Sequence, residues 1–375
     1  MSFRRGTRRN LLNIYGFLIF DSKWLIFQLI LQKAFKISIS KAIYIKKTKK
    51  MRFLTWLKPT WYSLHLWNYF GSIQYMLRLA KENPDSDFFL FLANMHGFTQ
   101  VHDPEAMKTN SYTILKTYLA CGADPKRFIM YNPADIPWHA QLNRVLSCIT
   151  HMWFMERMHS YKEAVDKWNS KEIMVWTFCY PILMAADILL YNADFVPCGK
   201  DQKQHVEFAR DIAERFNNKF GETFTVPQPI MDANNALIMW LDGRKMSKSY
   251  NNAIWLIDDA DTVLKKVKKI PTGSQTVEES KNPDECNIYN LCKLFLTPEE
   301  DSALRTRYLA GWLSYKEAKD YLYEKMIAFL TPIQKKYNQI SDQEISEMLA
   351  KSRDIVSEIS EKKIKQVYEK VWFLL

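Results

Sequence analysis

From Met51 onward, short apolar runs alternate with longer amphipathic stretches. Runs of four to six residues that are rich in aromatic and branched side chains have the length of buried strands, whereas apolar residues at helical spacing predict helices. The pattern predicts strands at residues 52–57, 88–93, 128–132 and 195–198, and helices at residues 111–121 and 181–191.

This alternation of strands and helices predicts a parallel sheet that is covered by helices. After about Ile257 the strand-like runs stop, and Lys, Glu, Ile and Leu recur at helical spacing to the end of the chain. We therefore expect an α/β domain over residues 51–256 and a mainly helical domain over residues 257–375, whose last helix could return to the first domain.

Residues 1–50 have a different composition, with arginines in the first nine residues, an apolar aromatic run at 11–31 and lysines at 41–50. Asp21 and Lys23 interrupt the apolar run, so neither half reaches the roughly 20 residues of a membrane span. A membrane anchor or an Arg-rich organellar transit peptide are alternatives, although serine is scarce. Because a strand-like run follows Met51 directly, we expect translation to start at Met51.

The net charge and the spacing of the cysteines limit which partners and metal sites the protein can have. An excess of 52 Lys and Arg over 41 Asp and Glu gives a net charge of +11, which suits a polyanionic partner such as RNA, ATP or a membrane surface. The six cysteines include no C-x-x-C pair and have no histidine at zinc spacing. We expect reduced thiols, no metal centre and a cytoplasmic location.

The first motif that suits phosphate chemistry follows the first predicted strand. Lys58-Pro59-Thr60 is followed by His65-Leu66-Trp67-Asn68, a turn that leads into a helix. A helix N-terminus offers free N–H groups and the positive end of its dipole to a phosphate. Taken alone, a histidine near a helix start is usually a cap or a surface residue.

The second motif is Lys245-Met246-Ser247-Lys248-Ser249, preceded by Asp242-Gly243-Arg244. Two ammonium groups on a loop with hydroxyl side chains can neutralise the charge that builds up on a pyrophosphate leaving group. A chance loop of Lys and Ser is the alternative, but five residues in this order at this distance from the first motif make it improbable. Together the two motifs resemble the "HIGH" and "KMSKS" signatures of the class I aminoacyl-tRNA synthetases.

The third segment resembles the bacterial type of the tryptophanyl-tRNA synthetase family. It comprises residues 180–189 (YPILMAADIL) and 196–202 (VPCGKDQ). On a helix Met184 and Asp187 share a face, so a thioether can pack on an indole while a carboxylate accepts its N–H. An indole N–H can only donate, so it requires an acceptor. Without the surrounding match, Met184 would be a core residue and Asp187 the partner of a basic residue.

The resemblance covers residues 51 to about 375 and implies a Rossmann-type catalytic domain at 51–256, with a helical domain at 257–375 that binds the anticodon. It further implies a homodimer that uses ATP with Mg²⁺ to activate L-tryptophan and load it onto tRNA(Trp). The catalytic groups would be His65, Asn68, Lys245 and Lys248. ATP would also contact Lys58, Thr60, Gly199, Asp201, Met246, Ser247 and Ser249, and tryptophan would contact His96, Tyr180, Met184, Asp187 and Gln202.

Tryptophan stands at several positions where this family has glycine. The chain has 12 tryptophans and only 10 glycines in 375 residues, well under half the usual glycine usage of about 7%. We hypothesise that the gene reads UGA as glycine and that the printed tryptophans at these positions are glycine in the native protein. A decayed homologue with a filled site is the rival, but decay would scatter its substitutions. The positions are Trp56, Trp61, Trp67, Trp153, Trp176, Trp240, Trp312 and Trp372.

Two further alternatives remain open. A tyrosyl-type synthetase shares the fold and also needs a carboxylate for a ring donor, although the segment MAADIL and Asn68 argue against it. A non-catalytic RNA-binding homologue would be consistent with tryptophan in the nucleotide site. A test of ATP binding distinguishes this non-catalytic homologue from the two enzymes.

Overall fold

The computed structural model describes residues 50–167, 173–232 and 253–373. The chain divides into two compact units, residues 1–51 and residues 52–375. The first unit lies almost wholly outside the described residues, so the fold reported is that of the second. The predicted domain boundary at residue 257 falls inside this second unit and stays a prediction. In the part of the chain that is described, no helix is long and apolar enough to cross a lipid bilayer.

A parallel sheet of five strands is formed by the described residues, in the order β3-β2-β1-β4-β5. The order reverses between β1 and β4, which is the switch point where α/β sheets of this kind bind ligands beyond the carboxyl ends of their strands. The strands are β1 Arg52–Leu57, β2 Asp87–Leu92, β3 Phe128–Tyr131, β4 Phe195–Pro197 and β5 Gln228–Ile230.

Helices connect the strands, and after residue 257 the described part of the chain consists of helices joined by loops. A π-helical turn, Tyr69–Ile73, joins the first two helices. The helices are α1 Leu66–Asn68, α2 Gln74–Glu82, α3 Asn94–Gly97, α4 Pro104–Ala120, α5 Trp138–Ser147, α6 Met152–Glu156, α7 His159–Lys167, α8 Val175–Leu189, α9 Lys203–Phe220, α10 Ala260–Lys268, α11 Asn287–Cys292, α12 Pro298–Ala310, α13 Tyr315–Gln339 and α14 Asp342–Val371.

The centre of the sheet is buried on both faces. Phe88, Phe89, Leu90 and Phe91 are consecutive in β2, and none is more than 1% exposed. Neighbouring residues of a strand point to opposite faces, so both faces are covered. Burial of each such side chain contributes roughly 1.5–3 kcal/mol. This rigid sheet holds the ends of β1, β2 and β4 in place.

The last helix, α14, packs against the strand domain. Val356, Ile364 and Val367 belong to the same buried cluster as the sheet residues Phe89 and Phe91. The helix therefore contributes to the core that carries the candidate site, although it lies at the far end of the sequence.

The predicted strands and the α/β class are confirmed, but the helix boundaries differ from the predictions. Helix α4 begins seven residues before the predicted start at residue 111, because Asp103 caps it and Pro104 occupies its first position. Helix α8 begins at Val175 and contains Pro181 in its interior. Strand β5 was missed because it has three residues with Pro229 in the middle, which an edge strand tolerates.

Two of the eight tryptophans for which we hypothesise glycine have a backbone conformation that favours glycine. Trp312 and Trp372 both have φ of 61°, and Asn192 is the only other non-glycine residue with positive φ among those described. Their indoles are 73% and 76% exposed, so little packing requires tryptophan at either position. This geometry supports the glycine hypothesis at both positions.

Candidate functional site

His65 and Asn68 of the first motif cap each other at the start of α1. The Asn68 N–H donates to His65 Nδ1 at 3.2 Å, and the His65 N–H donates to Asn68 Oδ1 at 3.0 Å. Because Nδ1 accepts, a neutral His65 carries its proton on Nε2. His65 is buried, so its ring orientation is fixed.

Residues 254–256, which follow the second motif in the sequence, hydrogen-bond to the residues at this helix start. The Leu66 N–H donates to the Ile254 carbonyl at 3.0 Å, and the Leu256 N–H donates to the Leu64 carbonyl at 2.9 Å. Trp255 lies with its ring 5.5 Å from that of His65. Residues 245–249, which carry the second motif, and Trp240 lie outside the described residues.

A cavity of about 740 Å³ opens beyond the carboxyl ends of β1 and β2. The predicted site residues that line it are Lys58, His96, Tyr180, Met184 and Gln202. Burial lowers the pKa of Lys58, which is the first residue after β1. The cavity walls therefore combine a cation, two ring systems, a thioether and an amide.

Two tryptophans at family glycine positions also line this cavity. Trp56 packs on Phe91 with ring centres 6.1 Å apart, and Trp176 lies 5.4 Å from His96 and 6.3 Å from Tyr180. Trp67, by contrast, is not among the lining residues. A Cβ added at Gly71 would lie 3.6 Å from its indole nitrogen, so the Trp67 ring leans along its own helix.

One face of α8 carries the predicted amino-acid site. Tyr180, Met184 and Asp187 follow one another at spacings of four and three residues, which places them on one stripe. Tyr180 and Met184 line the cavity, whereas Asp187 lies one turn further and is only 1% exposed. The Tyr180 hydroxyl lies 3.0 Å from His205 Nε2.

Two histidines contact the Asp187 carboxylate. His139 Nδ1 lies 2.6 Å from Oδ1, and His96 Nε2 lies 3.0 Å from Oδ2. Burial by itself would raise the pKa of Asp187, but the hydrogen bonds from His139 and His96 outweigh burial and lower it. The carboxylate is therefore ionised at neutral pH.

His205 is a buried base beside the same cavity. Burial and the neighbouring His96 lower the pKa of His205 to about 4. The imidazole is neutral at pH 7, so its Nε2 can accept the Tyr180 O–H and leave the lone pairs of Tyr180 to accept from a ligand.

The segment after β4 contains Gly199, Asp201 and Gln202, of which Gln202 lines the cavity. Gln202 Nε2 donates to Asp201 Oδ2 at 2.7 Å. A Cβ at Gly199 would lie 2.6 Å from Asp201 Oδ1, so only glycine allows this carboxylate its position. Asp201 and Gly199 are not among the cavity-lining residues, and neither are Thr60, His65 and Asn68.

Sequence analysis missed His139, Tyr191 and His205. His205 lies three residues after Gln202, and that helical spacing could have placed it beside the site. Tyr191 lies four residues after Asp187, and that spacing could likewise have placed it near the carboxylate. His139 had no such signal, because it lies 48 residues from Asp187 and meets it only in the folded protein.

The chain is similar to one family of enzymes over most of its length. The model of the class I tRNA synthetases for W and Y matches residues 46–331. The chain is 44% identical over 284 residues to the tryptophan–tRNA ligase of Neisseria meningitidis, covering 74% of this chain and 84% of that protein. It is 38% identical to the tryptophan–tRNA ligase of Campylobacter jejuni, covering 86% of this chain and 99% of that protein.

Solved structures give the same result. The crystal structure of the C. jejuni tryptophanyl-tRNA synthetase complexed with ADP and tryptophan has a TM-score of 0.79 and 38% identity, covering 86% of this chain and 99% of that one. The tryptophanyl-tRNA synthetase of Mycoplasma pneumoniae has a TM-score of 0.71 and 28% identity, covering 86% of this chain and 98% of that one.

Proposed function

Since the chain belongs to the class I tRNA synthetases of the tryptophan and tyrosine type, we propose that it is a tryptophan–tRNA ligase that activates L-tryptophan with ATP and transfers it to tRNA(Trp). The observation that carries the assignment is the stripe of Tyr180, Met184 and Asp187 beside His96. It offers a ring surface, a thioether and a buried anionic acceptor, which is what an indole with one N–H donor requires.

In the proposed first step the carboxylate of tryptophan attacks the α-phosphorus of ATP. A carboxyl oxygen to phosphorus bond forms while the bond from that phosphorus to the bridging oxygen breaks, and pyrophosphate leaves. In the second step a hydroxyl at the tRNA 3′ end attacks the carbonyl of tryptophanyl-adenylate, and AMP leaves. No covalent bond to the protein is needed, so positioning and charge stabilisation supply the catalysis.

We propose that the phosphates of ATP bind at the start of α1. We propose that His65 and Asn68, which cap each other at this helix start, lie beside the phosphates. Lys245 and Lys248 would neutralise the pyrophosphate, and position 254, six residues after Lys248, is bonded to this helix start. We propose that Thr60, Gly199, Asp201 and residues 246, 247 and 249 complete the contacts.

Mg²⁺, the dimer and the cellular location belong to the same proposal. Mg²⁺ would arrive with ATP, since this ion is commonly held by substrate phosphates and few protein carboxylates. We propose a homodimer with a helical anticodon-binding region after residue 257, acting in the cytoplasm.

Tryptophan-dependent ATP/pyrophosphate exchange tests the proposal, with tyrosine as the competing substrate. The assay should use the chain from Met51 as printed and a version with glycine at the eight tryptophan positions named above. Exchange with tryptophan and not tyrosine is expected, at least in the glycine version, and Asp187→Asn should weaken it strongly. Folded proteins that exchange with neither amino acid would refute the ligase.

The comparisons do not favour the alternative, a non-catalytic RNA-binding role, although Trp56 and Trp176 line the cavity in the printed sequence. Calorimetry with ATP distinguishes the two roles. ATP binding to the printed chain would argue against the second role, whereas its absence in both versions together with tRNA binding would favour it.

A further inference from the structure

A chain of hydrogen bonds runs from Tyr191 through His139 to Asp187. His139 Nε2 lies 2.8 Å from the Tyr191 hydroxyl, and its Nδ1 lies 2.6 Å from Asp187 Oδ1. His139 and Tyr191 are 0% exposed, and neither lines the cavity. Asp187 Oδ2 receives its contact from His96, which does line the cavity.

The chemistry of these groups sets the direction of each bond. An ionised carboxylate can only accept, so His139 must donate to Asp187 from Nδ1. The neutral form of His139 has one N–H, so in that form its Nε2 accepts and the Tyr191 O–H meets it as donor. Tyr191 therefore selects the tautomer of His139 that donates to Asp187.

The arrangement leaves Asp187 with unused acceptor capacity. A carboxylate offers about four lone-pair sites, and the two histidine bonds use one on each oxygen. Without His139, a carboxyl group in these apolar surroundings would be free to rotate or to take up a proton, and a protonated oxygen would compete with a ligand donor.

We propose that His139, held in one tautomer by Tyr191, is a positioning residue that fixes the Asp187 carboxylate as the acceptor for the ring N–H of the amino acid. The inference rests on the proposed tryptophan ligase activity and deepens it. It assigns ring N–H selectivity to two buried residues that do not touch the substrate.

The test compares tryptophan with its analogue in which sulfur replaces the ring N–H, by ATP/pyrophosphate exchange in whichever version of the chain is active. A site built around such a hydrogen bond favours the N–H substrate by about 10⁴-fold in kcat/KM. His139→Leu should lower this ratio by roughly 10- to 100-fold, the range for loss of a hydrogen bond to a charged group. The KM for ATP should not change.

Two further variants separate positioning from packing. His139→Gln should keep most of the ratio, because an amide can donate to Asp187 and accept from Tyr191. Tyr191→Phe should lower the ratio, whereas Tyr118→Phe should not. Tyr118 is the matched control, since it is also buried and its hydroxyl has no hydrogen-bond partner among the described residues.

The possible failures are distinguishable. If Asp187→Asn destroys the ratio while His139→Leu leaves it intact, the positioning role is wrong and the ligase stands. If His139→Leu changes the KM for tryptophan and the KM for ATP together, or if His139→Gln does not keep the ratio, His139 is a packing residue only. If neither version of the chain exchanges with tryptophan, the ligase proposal fails and the positioning role with it.

Discussion

Because the backbone at Trp372 is left-handed, we expect glycine to be more stable than alanine at this position, which is the opposite of an ordinary helix position. Trp372 ends α14 with φ of 61° and ψ of 40°. The Phe373 N–H donates to the Tyr368 carbonyl at 2.8 Å, and the rings of these two residues lie 5.6 Å apart. This is a Schellman ending, in which the left-handed position is usually glycine.

The size of the effect follows from two opposing terms. A left-handed conformation costs a residue with a Cβ roughly 1–2 kcal/mol. Glycine avoids this cost but loses more conformational entropy on folding, about 0.5–1 kcal/mol relative to alanine. Trp372→Gly should therefore be more stable than Trp372→Ala by about 0.5–1 kcal/mol, and the same holds for Trp312, which also has φ of 61°.

Comparing glycine with alanine removes the contribution of the indole itself. Ile355 is the matched control, because it lies in the middle of α14 and is 47% exposed. There Ile355→Gly should be less stable than Ile355→Ala by about 0.5–1 kcal/mol. The assay is urea unfolding of each pair of variants. If alanine equals or exceeds glycine at both Trp312 and Trp372, the structural support for native glycine at these positions is lost.

Three other measurements follow from the structure. Trp56→Gly combined with Trp176→Gly should tighten L-tryptophan binding by about tenfold or more in calorimetry, because both indoles line the cavity, whereas the exposed Trp153→Gly should not. The pKa of His205 is lowered to about 4 from 6.5, so the unfolded state takes up a proton at a higher pH than the folded state does. The free energy of unfolding should therefore have its full value above pH 6.5 and fall towards pH 4 by on the order of 3 kcal/mol. Unfolding of His205→Gln should lack this loss. Lys363→Met should destabilise the protein by about 1–3 kcal/mol in urea unfolding, because the buried ammonium donates to a backbone carbonyl at 2.6 Å; an unchanged midpoint would show that this bond contributes nothing.

The amino-acid sequence alone determined the local elements of this protein and the chemistry of its main motifs. Continuous apolar runs such as Phe88–Leu92 can only be satisfied inside a covered sheet, so the strands and the α/β class could be predicted. The shared helix face of Met184 and Asp187 was equally visible, because helical periodicity relates residues that are close in sequence, whereas Tyr180 was expected there only from the family resemblance.

Only the tertiary structure decided what surrounds that stripe. His139 lies 48 residues from Asp187, and His96 lies 91 residues from it, yet both bond its carboxylate. Periodicity within one element carries no information about such pairs, since they depend on how separate elements pack. The positive φ of Trp372 likewise depends on how the end of α14 closes, which side-chain pattern alone does not specify. The physical reason is common to both cases: local patterns determine which faces are buried, whereas packing determines which buried groups meet.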